Sequence, residues 1–338
     1  MPQRTPRKRR TALQIITGGF FTLALLGCAS TPVTAPVHFS SGGQAKTLSH
    51  VKTIDTVKLA GDGFFVSMLA GSATYDIKRP AAIGVRNGLL YIADAGNDGV
   101  LLVYDLANDR ISPFRGAGEL IQDEASDIFV AADGSFYVAD TQGKRVLWFA
   151  GDGELRKVYR DDSNISRPIA VVVNEANNEV YIADEVYSKV IVFNRDGEPL
   201  RGMGGRGEGT GKFRIITDMI KVPGGYLVSD RIELSVQMLD ESGQYQGDFG
   251  SDKLDFPTAL AVDRFGRVYV AEKSDSTIKV FQRGELIDVI GRNGYGDGEF
   301  RYISDMKLVD DKLYVADSLN GRIQVFDVIP PAAKVGSL

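Results

Sequence analysis

Among its 338 residues the chain has one cysteine, Cys28, two histidines, His38 and His50, and one tryptophan, Trp148. A lone thiol cannot close an intramolecular disulfide, so the fold has no such staple. With both histidines before residue 51, the rest of the chain has no imidazole to act as a general base or zinc ligand. It also has no cysteine nucleophile and no Ser/His/Asp set. No segment carries a helical period of useful length. The longest apolar run, ALQIITGGFFTLALLG at residues 12–27, is broken by Gln, Thr and Gly and is short for a membrane span. The glycine-rich runs RGMGGRGEGTG and GRNGYGDGE lack the Gly-Lys-Ser/Thr and the helix start of a phosphate loop. Positive charge is also scarce. Residues 28–338 hold 34 basic against 44 acidic side chains, a net charge of −10. Such a body is not built for nucleic acid, and the local basic spot of Arg201, Arg206, Lys212 and Arg214 reads as a solvated loop.

The N-terminus stands apart. RTPRKRR precedes the apolar run, which ends in LLGC. This arrangement resembles the lipobox of bacterial lipoproteins, with Leu25, Leu26 and Gly27 before the acceptor Cys28, although Leu26 stands where a small residue is commoner. The resemblance implies a signal peptide over residues 1–27 and acyl chains, palmitate among them, on Cys28. With Ala29 rather than Asp after the cysteine, it implies the outer membrane in a two-membrane bacterium. The competing reading is a cytoplasmic protein with an uncleaved apolar N-terminus. Arg9 and Arg10 leave both the Sec and the Tat route open. Residues 28–50, rich in Ser, Thr, Pro, Ala and Gly, read as a flexible tether with a reach of roughly 25 Å. The tail, residues 330–338, reads as disordered.

Between tether and tail the sequence repeats. YIAD ends at Asp94, YVAD at Asp140, YIAD at Asp184, LVSD at Asp230, YVAE at Glu272 and YVAD at Asp317, in steps of 42 to 46 residues. Six residues after each acid a new apolar run begins, at Val100, Val146, Val190, Val236, Ile278 and Ile323. Another apolar run lies upstream of each acid, and a fourth follows a second turn. Four short strands per unit of this length is the pattern of a β-propeller blade, and six units over residues 51–329 predict an all-β, six-bladed propeller of four-stranded antiparallel blades.

YVADTQGKRVLWF, YVADSLNGRIQVF, the first-strand openings RPAAIGV, RPIAVVV and FPTALAV, and the GxGxGxF loops resemble the NHL repeat. The resemblance covers about residues 64–328. It implies the propeller fold but leaves function open, since this fold hosts enzymes, RNA binders and scaffolds. The last unit runs out after RIQVFDV, so its fourth strand must come from elsewhere. FFVSMLAG, residues 64–71, resembles the fourth strands YQGDFG and ELIDVIG and is expected to complete the last blade, removing an exposed edge. TVKLA, just before it, either adds an edge strand or crosses the bottom of the ring. Trp148 is expected between blades.

The six acids at the ends of the second strands read as structural: Asp94, Asp140, Asp184, Asp230, Glu272 and Asp317 would accept hydrogen bonds from backbone N–H groups of their own turns. A second pattern is less routine. Units one, three and five open their first strands with Pro-x-Ala, and units two, four and six with Ser/Thr-Asp: Asp127, Asp218 and Asp305. First strands line a propeller's channel, so three aspartates would approach the axis about 120° apart and repel one another unless neutralised. Either they are neutralised, by a cation such as Ca²⁺, by a buried Arg or Lys, with Arg214 and Arg301 the nearest in sequence, or by ordered water, or each bonds backbone N–H groups of the next blade. The repeated phrases GKFRIITDM and GEFRYISDM, 87 residues apart, carry two of the three.

Two functions follow as expectations. One is a non-catalytic binding or scaffold module on the cell envelope, a monomeric ring that engages an envelope protein or surface polymer. The other is a calcium-dependent hydrolase or lyase, resembling the gluconolactonase and strictosidine-synthase propellers, with the axial aspartates as metal ligands.

Overall fold

The computed structural model of the chain describes residues 47–59, 74–96, 100–114, 121 and 125–332. Cys28, His38, the segment FFVSMLAG and most of the tether lie outside these residues. Among the described residues no helix is long and apolar enough to cross a membrane.

The chain is all-β, a six-bladed propeller built from four-stranded antiparallel blades. The first strands are Pro80–Arg86, Ala125–Val130, Pro168–Asn174, Ile216–Val222, Pro257–Val262 and Ile303–Val309 for blades 1 to 6. Each blade then steps outward through consecutive antiparallel partners. The second and third strands are buried along almost their whole length, as in FYVAD (Phe136–Asp140) and RVLWF (Arg145–Phe149). Fourth strands are mostly exposed, as in LRKVY (Leu155–Tyr159). This gradient follows from geometry: inner strands are sandwiched between neighbouring blades, whereas outer strands face water on both sides. The apolar side chains pool between blades, and Trp148 lies there, stacked on Tyr137 at 5.4 Å in a cluster with Tyr159 and Phe193.

The closing strand is not the one expected from residues 64–71. Leu48–Ile54 pairs antiparallel with Arg322–Val328, so the last blade takes its outer strand from Leu48–Ile54, part of which reads as tether. His50 is therefore part of the ring, with its imidazole edge-on to Phe326 at 5.4 Å. The criterion of hydrophobicity misled because an outer strand buries little: only Leu48 and Ile54 of LSHVKTI are fully buried. TVKL (Thr56–Leu59) extends blade 1 outward, running parallel to Arg110–Pro113, and Thr74–Asp76 pairs antiparallel on its other side as the edge.

The repeated phrases are blade-to-blade loops. Gln237 accepts from Gly211 N and donates to Lys212 O, and Gln324 does the same with Gly298 and Glu299. Each phrase's phenylalanine then folds back onto a glycine: a Cβ on Gly204 would stand 2.4 Å from the Phe213 ring, and one on Gly291 would stand 2.5 Å from Phe300. Both glycines have positive φ, so a side chain there meets both strain and a clash.

Candidate functional site: the central channel and its mouth

Every blade has a β-bulge at the same place, between the first residue of its inner strand and the Ala or Asp two positions on, for example Pro80/Ala82 and Ala125/Asp127. A bulge re-aims side chains at a sheet edge. Here it turns the bulged residue toward one mouth of the channel, and the Ala or Asp beneath it faces the neighbouring blade. The mouth therefore has layers.

The outermost layer comes from two positions per blade, the residue before the first strand and the residue after the second-strand acid. In five blades these are joined by the same backbone bond: Ala95 N to Arg79 O at 3.0 Å, Glu185 N to Arg167 O at 3.0 Å, Arg231 N to Ile215 O at 3.1 Å, Lys273 N to Phe256 O at 3.0 Å and Ser318 N to Tyr302 O at 2.8 Å. The turn acids hold this rim. All six are buried, and they bond more than their own turns. Asp94 accepts from Gly96 N and also from Lys78 N and Arg79 N, 16 and 15 residues earlier. Asp184, Asp230, Glu272 and Asp317 reach back to the chain entering their first strands in the same way. Asp140 binds Gly143 N and Arg145 Nε. Each carboxylate is thus occupied by donors.

Arg79, Arg167 and Arg231 line a cavity of about 290 Å³ at this mouth, with Glu185, Phe256 and Tyr302. Arg167 and Arg231 both bind Glu185, at 2.9 and 3.0 Å. Lys273 lies over the rings of Phe256 and Tyr302, at 4.9 and 5.2 Å. Below the rim are the bulged hydroxyls Ser126, Thr217, Thr258 and Ser304. Ser126 donates to Pro168 O at 2.9 Å, Thr258 to Ile303 O at 2.9 Å and Ser304 to Pro80 O at 2.8 Å, each onto the next blade.

The third layer holds the aspartates. Asp127 Oδ2 accepts from Val171 N at 2.7 Å, Asp218 Oδ2 from Leu260 N at 2.7 Å and Asp305 Oδ2 from Ile83 N at 2.8 Å. Even blades thereby clamp the blade that follows, and the strand that donates the N–H in each case is the one that opens with Pro-x-Ala. The ring is a cycle of three blade pairs. The counter-charge is neither of the expected arginines. Lys307 Nζ sits 2.8 Å from Asp127 Oδ1 and 2.7 Å from Asp305 Oδ1. Arg214 pairs instead with Glu208 and Glu233, and Arg301 lies over Tyr295 at 5.2 Å. Lys307 stands two residues after Asp305, and so on the same strand face, a spacing that the sequence did display.

Burial pushes Asp218 up to about 7, with Lys307 opposing and the other two carboxylates adding to the shift. Burial also raises Asp305, to about 6, against the pull of Lys307. Lys307 itself is held above its ordinary value: burial opposes the charge, but Asp127 and Asp305, with Asp218, outweigh it. The set does not fit a divalent cation. An ammonium already stands between two of the carboxylates, and their other oxygens are taken by backbone N–H groups. Among the described residues no group of three His, Cys, Asp or Glu side chains is arranged to hold a metal.

The same face carries exposed apolar side chains. Val186, Tyr187, Ile232 and Leu319 project from the turns after the second strands, and Tyr295 from the loop joining blades 5 and 6. Their exposure runs from 36% for Tyr187 to 71% for Tyr295. The 5–6 loop belongs to this face because Arg322 and Asn320 bond its carbonyls at Tyr295, Gly296 and Gly294. None of these residues was singled out from sequence. The signal that would have found all but Tyr295 is positional: two and three places beyond a turn acid.

The comparisons with known proteins agree with the ring. The chain is 30% identical over 176 residues to NHL repeat-containing protein 3 of Mus musculus, a match that takes in 46% of this chain and 51% of that one. It thus spans about half the length of the curated relative it matches. No family model matches. Among solved structures it is similar to a Bacteroides thetaiotaomicron protein of unknown function (TM-score 0.60, 14% identity, covering 82% of this chain and 77% of that one). It is similar also to a streptogramin B lyase (0.59, 10%, 82% and 97%) and to virginiamycin B lyase from Staphylococcus aureus (0.58, 11%, 82% and 100%). At these identities the likeness is one of fold.

Proposed function

We propose, for a chain whose repeats and ring fit an NHL-repeat propeller, a non-catalytic binding or scaffold module. In this reading a lipid on Cys28 holds the ring at the cell envelope, and its rim face engages an envelope protein or surface polymer. One observation carries it. Five exposed apolar side chains and a basic mouth share the same face, and an apolar patch interspersed with arginines is what a docking surface presents. The channel interior speaks for the same role. Asp127 and Asp305 are spent on Lys307 and on neighbouring strands, which favours holding the blades over holding a reactive metal. The calcium-dependent lyase reading has no comparable support, because its proposed ligands are already bonded.

Site-specific photo-crosslinking in intact cells tests the face. A crosslinking residue at Ile232 or Leu319 is expected to give a discrete adduct, while one at Leu200, on the outer edge of blade 3, is not. Adducts from none of the three, or equally from all, would count against the reading. The anchor has its own test: Cys28→Ser should move the protein out of the membrane fraction and abolish labelling by a palmitate analogue.

A further inference from the structure

We infer that the central mouth binds an acidic saccharide, a sugar unit bearing a carboxylate, within the binding face proposed above and resting on that proposal.

The first argument is charge. Arg79, Arg167, Arg231 and Lys273 stand on the rim with Glu185 as the one acid among the rim positions described, in a chain whose residues 28–338 carry −10 overall. A basic opening in an acidic body concentrates anions at one point. Glu185 does not exhaust the arginines. By binding both Arg167 and Arg231 it pins two guanidinium groups side by side, each with further N–H donors. Arg79 is exposed and has no carboxylate partner among the described residues.

The second argument is the floor. Ser126, Thr258 and Ser304 spend their protons on carbonyls of the next blade, so their oxygens are left as acceptors. The mouth thus offers cations at the rim and hydrogen-bond acceptors beneath. A phosphate ion would satisfy the rim but brings only one or two O–H donors for the floor. An acidic peptide side chain brings none of its own. A sugar acid has both a carboxylate for the arginines and hydroxyl donors for the serine and threonine oxygens. Leaving such acceptors unpaired on burial is costly, which is what would separate the ligands. The third argument is size: about 290 Å³ is at the small end of ligand pockets, room for one or two sugar units of a chain and not for a folded segment.

Calorimetric titration of the full-length, detergent-solubilised protein tests this, with trigalacturonate as probe against maltotriose, triglutamate and inorganic phosphate. Trigalacturonate should bind, more weakly as salt is added, and maltotriose should not. Arg79→Ala should weaken binding about tenfold or more with no change in melting temperature, because among the described residues this side chain makes no ion pair or hydrogen bond. Arg264→Ala, on the opposite face and paired with Asp311, should leave binding unchanged. Absence of trigalacturonate binding, or equal binding by the Arg79 variant, would overturn the inference. So would triglutamate or phosphate binding as tightly. If the Ile232 and Leu319 adducts persist in that case, only the saccharide assignment falls. If those adducts are absent too, the face itself is misread.

Discussion

Asp218 is the aspartate without an ammonium. Lys307 reaches Asp127 and Asp305, whereas Asp218 has two backbone N–H groups, from Leu260 and Met219. Its folded value of about 7 lies above the ordinary 3.8, so between these values the folded chain binds the proton more tightly than the unfolded one. The stability this group contributes is full below about pH 4 and is lost as pH rises through 7. His50, which burial lowers, acts in the opposite sense below its ordinary 6.5, so the wild-type curve alone is not diagnostic. The difference is. The fall in melting temperature between pH 5 and pH 8 should be smaller in Asp218→Asn than in wild type, and an identical fall would refute the assignment. Lys307 supplies the complementary test. Lys307→Met leaves two buried carboxylates facing each other, and breaking a buried ionic cluster from one side costs about 3–5 kcal/mol. Urea denaturation should show a loss of that order, partly restored by adding Asp305→Asn. A loss near zero would mean that water, not the lysine, balances the site.

The element that matters most is the clasp, Leu48–Ile54. It is held by more than its own ladder. Thr47 donates twice to Asp288 of blade 5, at 3.1 and 2.7 Å, Thr53 donates to Asp297 of the 5–6 loop, and Lys52 reaches Tyr104 and Asp109 of blade 1. Three blades are therefore tied by one strand. Removing residues 47–54 should lower the melting temperature sharply and expose the edge Arg322–Val328 to aggregation. Removing 64–71 leaves that edge covered, and circular dichroism melts of the two deletions should differ. Equal destabilisation would restore a closing role for the second segment. The clasp was hard to read because an outer strand needs little apolar area, while the inner strands, packed on both faces, announced themselves as YVAD-type runs. The bulge was equally hidden. A one-residue shift in pairing leaves no mark on composition, yet it decides which side chain faces the mouth.

For the molecule as a whole, closure makes each blade depend on its neighbours. Trp148 lies between blades 2 and 3, and as the chain's one tryptophan it reports that region alone. If the ring melts as a unit, the Trp148 fluorescence transition and the far-ultraviolet dichroism transition should coincide in the intact chain and separate once the clasp is removed. Separate transitions in the intact chain would mean that the blades are independent.

Sequence alone determined the number of blades, the strand order within them, the anchoring roles open to the six turn acids and the alternation of Ala with Asp, because each of these is a local or periodic property. One of the three channel aspartates, Asp127, could be found only by aligning the units, and their neutralising partner only in space, since the reach of Lys307 to Asp127 spans 180 residues of chain. Tertiary structure also decided which segment closes the ring and which of its faces is at once apolar and basic. Those outcomes depend on how a bulge turns a side chain and how a circle brings distant residues together, and neither is written in the spacing of letters.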